Sequence, residues 1–90
     1  MATLLPPPQY DVPPPMPVIE LVFGIDDVRR VCSMYMGRPG NFRGCSFKKD
    51  GKCYVFRIGS PEVERHERAH CAGWPADHPG GWWDMRTKER

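Results

Sequence analysis

No stretch of these 90 residues is apolar for long enough to cross a membrane as a helix, which takes about 20 such residues. Nor is there an excess of one charge: 13 basic side chains face 11 acidic ones, for a formal net charge of +2. The first absence excludes a helical membrane span, and the second removes the usual footprint of a nucleic-acid partner. Met1-Ala2-Thr3-Leu4-Leu5 lacks the charged start and long apolar run of a secretory signal. The four cysteines include no C-x-x-C knuckle, which argues against a structural zinc built from cysteine. Histidine is scarce too, with three in the chain, but all three fall between residues 66 and 78.

That concentration is the most informative feature present. His66-Glu67-Arg68-Ala69-His70 has the H-E-x-x-H form, and residues four apart on a helix share a face, so two imidazoles can reach one metal ion. Glu67 beside them supplies a carboxylate able to take a proton from metal-bound water, which is hydrolytic chemistry. The flanks predict a helix over residues 61–72, with Ser60 as N-cap, Pro61 at the first helical position, and Glu62 and Glu64 in the first turn. Gly73 and then Pro75 stop it. The plain alternative is a solvated helix face with two histidines among Glu64, Arg65, Glu67 and Arg68. Few apolar residues (Val63, Ala69, Cys71, Ala72) give such a helix reason to pack, and a further histidine follows its stop, so a Zn²⁺ site is the better reading. A hydrolytic zinc takes three protein ligands, and His78 is the first candidate for the third, Asp77 the second and Glu89 a distant third.

The run resembles the zincin metallopeptidases, whose metzincin branch reads H-E-x-x-H-x-x-G-x-x-H. His66, Glu67, His70 and Gly73 match, whereas the branch's third ligand falls on Ala76, with His78 two residues later. It is also similar to small proteobacterial and phage proteins carrying R-H-E-x-x-H-C-x-G-W-P-x-D-H, matched from Arg65 through His78 and more weakly upstream at Cys32, Cys45 and Cys53. The resemblance implies a zinc-dependent metallopeptidase acting on a peptide or protein substrate, with Glu67 as general base. It also implies that the strand at 53–58 offers main-chain hydrogen bonds to extended peptide. The rival reading is a non-catalytic interaction module, stapled by a structural zinc, whose proline-rich segment binds a larger protein partner.

Ninety residues allow one small domain that buries a modest share of its surface and calls for staples, metal or disulfide. Residues 1–17 hold seven prolines and read as an extended arm, a linker or wrapping strand. Residues 18–84 read as the metal-binding domain and 85–90 as a charged tail. Val18 to Phe23 predicts a largely buried strand, and residues 26–35 an amphipathic helix with Ile25, Val28, Val31 and Cys32 on one side. Met36 to Gly44 has loop composition. Asp50-Gly51 between Gly44–Phe47 and Cys53–Ile58 predicts a hairpin, with Tyr54, Phe56 and Ile58 toward the core. The expected class is α+β, a small antiparallel or mixed sheet with one short helix and the metal helix packed across it. Cys32, Cys45, Cys53 and Cys71 allow three pairings, of which Cys45–Cys53 with Cys32–Cys71 is geometrically easy. Disulfides would imply an oxidising compartment, yet no signal peptide is visible, so the two clues fix no location. Trp74, Trp82 and Trp83 either close the core or wall a substrate groove, packing being favoured for Trp74.

Overall fold

The structure, a computed structural model, describes residues 3–84. Its elements in chain order are β1 (Leu4–Leu5), a 3₁₀ turn (Pro8–Tyr10), β2 (Val18–Val22), α1 (Ile25–Met36), β3 (Gly44–Lys49), β4 (Lys52–Arg57), α2 (Pro61–Cys71) and β5 (Trp82–Trp83). This is the expected α+β arrangement. Three strands form a mixed sheet in the order β2-β4-β3, with β2 parallel and β3 antiparallel to β4. Asp50 and Gly51, at φ 53° and 75°, turn the chain between β3 and β4 in two residues, so the hairpin forms where its sequence places it.

Register explains the core. Cys45 pairs with Phe56, Phe47 with Tyr54, and Lys48 with Cys53, so Cys45 and Cys53 stand on opposite faces of the sheet. On one face Cys45 meets Val28 and Cys32 of α1, with Phe42, Phe56 and Ile58 around them. On the other, Cys53 and Val55 meet Cys71 of α2, with Met16 and Val18. Each helix is bonded to the face it covers, through Cys32–Cys45 and Cys53–Cys71. The pairing expected across the hairpin, Cys45–Cys53, is therefore corrected: an odd offset turns those side chains away from each other through the sheet. The sheet has a core on each face: Phe56 and Ile58 pack on the α1 core as expected, half-buried, while Cys53 and Val55 on the opposite face are almost completely buried in a second core under α2.

β2 is an edge strand, and it is not largely buried as its composition suggested. Ile19, Leu21 and Val22 are 38, 44 and 54 % exposed, because the helices on both faces pack mainly over β3 and β4. Glu20 explains the strand's other face. It accepts from Arg57 (3.3 Å) and from Arg68 of α2 (3.1 Å), and Arg57 also reaches Glu64 (3.1 Å). Burial alone would raise the Glu20 carboxyl, but the two guanidiniums prevail and hold it below the ordinary value. α2 is thus fixed to the sheet by an ion network along Glu64 and Arg68 and by a disulfide at Cys71.

The proline-rich arm wraps the domain. β1 pairs antiparallel with β5, Leu4 opposite Trp83 and Leu5 opposite Trp82. Leu5 is completely buried, Trp82 Nε1 donates to the Pro6 carbonyl at 2.8 Å, and Arg65 of α2 grips the Asp11 carboxylate. The tail 85–90, with Glu89, lies outside the described residues.

Candidate metal centre

α2 forms as its caps dictate: the Val63 N–H donates to Ser60 Oγ at 3.3 Å, Pro61 opens the helix, and Gly73 at φ 110° ends it. His66 and His70 therefore project from one face. The chain then doubles back, the Trp74 N–H donating to the Ala69 carbonyl and the His78 N–H to the Pro75 carbonyl. His78 itself takes a left-handed conformation (φ 59°), one in which histidine is enriched along with asparagine and aspartate, and its imidazole meets the other two.

The three rings form a near-equilateral triangle with centroids 4.9 Å apart. His70 Nε2 lies 3.2 Å from His66 Nε2 and 3.1 Å from His78 Nε2. The outer nitrogens are spoken for, since His66 Nδ1 donates to the Leu4 carbonyl (2.6 Å) and His70 Nδ1 to the Trp74 carbonyl (2.7 Å). A carbonyl oxygen only accepts, so in the neutral rings both Nδ1 atoms carry the proton and both Nε2 atoms present lone pairs. Two such lone pairs 3.2 Å apart repel unless a cation lies between them. A proton on His78 can relieve its own contact but not that between His66 and His70. Tetrahedral coordination with metal–nitrogen bonds of about 2.0–2.1 Å spaces its ligands by roughly 3.3 Å, close to what the triad shows. These three histidines could hold a metal ion, and among the described residues no fourth histidine, cysteine or carboxylate joins them.

Electrostatics favour the same role. Burial pushes the His66 imidazole down to about 4, helped by His70, His78 and Arg43, while its bond to Leu4 works the other way. His70 is lowered too, first by burial and then by His78 and Lys48, against the pull of the Trp74 carbonyl. Both shifts favour the neutral ring, the form a ligand must take. Trp74, 2 % exposed, stacks on His70 at 5.0 Å and meets His66 and His78 edge-on, with its Nε1 donating to the Pro79 carbonyl. It does pack, as expected, but against the imidazoles.

Asp77 is exposed and outside the triad. Backbone carbonyls, of Leu4 and Trp74, hold the Nδ1 protons of His66 and His70.

Glu67 points from α2 toward β3 and is 6 % exposed. Burial raises its carboxyl to about 7, against a hydrogen bond from Ser46. The approach of α2 to β3 is close at Gly44: a Cβ there would lie 3.0 Å from Glu67 Cγ and 3.1 Å from Val63 Cγ1, tighter than ordinary van der Waals contact. Gly44, Ser46 and the Leu4 carbonyl were not legible as site groups in the sequence. The polar Ser46 between Cys45 and Phe47 was the one available signal, whereas a backbone carbonyl leaves none.

A cavity of about 570 Å³ opens onto the triad. Five consecutive residues, Gly44 to Lys48, line it, so it runs along the edge of β3, between the triad and Glu67 on one side and Tyr35, Arg38 and Phe42 on the other. The Ile58 N–H donates to the Arg43 carbonyl, and hydrogen-bonded pairs alternate along an antiparallel ladder. Gly44, Ser46 and Lys48 consequently turn their backbone N–H and C=O groups outward. This corrects the expectation for residues 53–58: β4 is paired on both sides, and the strand edge beside the triad belongs to β3. No family model, no curated protein and no solved structure matches the chain, so the functional reading stands on its own side chains.

Proposed function

We propose that this protein is a zinc-dependent peptidase, with His66, His70 and His78 as zinc ligands and Glu67 as general base. The observation that carries the reading is the convergence of three imidazole nitrogens beside a buried carboxyl at the side of an open strand edge. An all-imidazole donor set suits zinc, and three protein ligands, with no fourth among the described residues, is the count of a catalytic rather than a structural site. Zinc, when bound, supplies Lewis acidity and a water acidic enough to ionise near neutral pH. The protein's own groups do the rest. The Leu4 and Trp74 carbonyls fix the tautomer and orientation of two ligand rings. Glu67, a buried carboxyl facing the same cleft as the triad, is placed both to accept a proton from the attacking water and to pass it to the leaving amine. Gly44, Ser46 and Lys48 offer alternate main-chain donors and acceptors to an extended peptide, fixing its carbonyl beside the triad.

Metal analysis with peptide cleavage tests this. One zinc per chain is expected in the wild type and in Glu67→Gln, and none in His66→Ala or His70→Ala. Cleavage should vanish in Glu67→Gln. A zinc-free native protein, or undiminished cleavage by Glu67→Gln, would overturn the proposal.

A further inference from the structure

The cleft along β3 is unevenly charged. Its lining holds two exposed cations, Lys48 on the strand and Arg38 on the loop after α1, and Glu67 is the one carboxylate facing it, sunk at the base. Arg38 lies over the Phe42 ring at 5.2 Å, which leaves its guanidinium edge available while the face is covered. Among the described residues no carboxylate pairs with Lys48 or Arg38; Arg29, Lys49 and Lys52 are likewise without an ion pair but lie outside the cleft lining, whereas Arg30, Arg57, Arg65 and Arg68 are matched by Asp27, Glu20, Glu64 and Asp11. Lys48 is also one of the three β3 residues whose backbone faces outward, so its side chain stands beside the path of any strand added there.

We propose that Lys48 and Arg38 select a carboxylate on the bound peptide, making this a site for acidic peptide segments. The inference rests on the peptidase reading above and adds its substrate class. Two unpaired cations at the rim of a cleft with low-dielectric aromatic walls, Tyr35, Phe42 and Phe47, focus a positive potential along the strand edge. A peptide carrying glutamate or aspartate within a few residues of the scissile bond gains attraction there, and one carrying lysine is repelled. A peptide's C-terminal carboxylate has the same chemistry.

Two measurements on the full chain test the proposal. Zinc-loaded Glu67→Gln is titrated with peptides that differ only in Glu, Ala or Lys at one position, each as free acid and as C-terminal amide, with Trp fluorescence as the readout. Wild type is assayed for cleavage of the same set. Binding should rank Glu over Ala over Lys by about fivefold per step, and the spread should shrink as salt is raised. Lys48→Glu should invert the order, and Arg38→Glu should flatten or invert it, with zinc content unchanged. Persistence of the ranking in the amides assigns selection to a side-chain carboxylate, and its confinement to the free acids assigns it to the C-terminus. A ranking in binding without any cleavage would sink the peptidase reading and leave the charge selection standing. Cleavage or binding indifferent to peptide charge, an order unmoved by Lys48→Glu, or no binding of any peptide overturns this inference.

Discussion

Glu67 and His66 titrate in opposite senses over the same range. Because the folded Glu67 carboxyl stands at about 7, the native state keeps a proton that the unfolded chain releases above 4.5; this contribution to stability is full below 4.5 and lost as pH rises to 7. Because folded His66 stands at about 4, the unfolded chain binds a proton below 6.5 that the native state refuses; this contribution is full above 6.5 and lost as pH falls toward 4. Each is worth on the order of 3 kcal/mol in the metal-free protein, and the two oppose each other. Glu67→Gln removes only the first, so denaturant unfolding of the metal-free variant should show stability climbing from about pH 4 to 6.5, more steeply than in wild type. Parallel profiles for the two proteins would refute the burial of that carboxyl. At the same scale, His78→Ala should abolish metal binding, whereas Asp77→Ala should leave it unchanged, read by competition with a chromogenic chelator. Gly44→Ala forces a methyl against Glu67 and Val63 and should cost about 1–3 kcal/mol while depressing cleavage.

At the level of elements, the arm and the two disulfides each hold a particular part of the site. Deleting residues 1–7 removes the carbonyl that orients His66, and metal affinity should fall about 10–100-fold, the usual effect of losing a ligand's outer partner. Leu5→Ala is the control: it should cost about 2–5 kcal/mol of stability but keep the Leu4 carbonyl, and with it the affinity of the folded protein. Replacing either cysteine pair by alanine should cost roughly 3 kcal/mol, since the loops closed span 13 and 18 residues. Loss of Cys53–Cys71 should also weaken metal binding, because that bond anchors the C-terminal end of α2 at the residue directly after His70. Loss of Cys32–Cys45 frees α1 and should leave affinity near the wild-type value. Equal affinity in both double variants would mean that the Glu20, Arg57, Glu64 and Arg68 network alone places the helix.

For the molecule as a whole, a chain of 90 residues with two thin cores relies on cross-links, and the metal is expected to act as a third. A free zinc concentration a thousandfold above its dissociation constant would add about 4 kcal/mol. Thermal unfolding should therefore shift downward with chelator, downward again with reductant, and furthest with both. A transition indifferent to chelator would separate the triad from stability.

Much was legible locally. Ser60, Pro61, Gly73 and Pro75 bounded α2 because caps and stops act within one turn of chain, and His66 and His70 shared a face because helical spacing alone puts them there. Asp50-Gly51 set the hairpin for the same reason. The disulfide pairing was not legible, since it depends on strand register, in which a shift of one residue moves a side chain to the other face; nor was the exposure of β2, which depends on how far the helices on both faces reach. The choice of His78 over Asp77 required the left-handed turn after Gly73, a backbone path that neighbouring residues permit but do not dictate. The Leu4 carbonyl needed the most distant information of all, 62 residues along the chain from the imidazole it orients. Residue types and short spacings thus determined which groups could bind a metal, while only the packing of arm, sheet and helix decided which ones face it, because facing is a property of long-range contact.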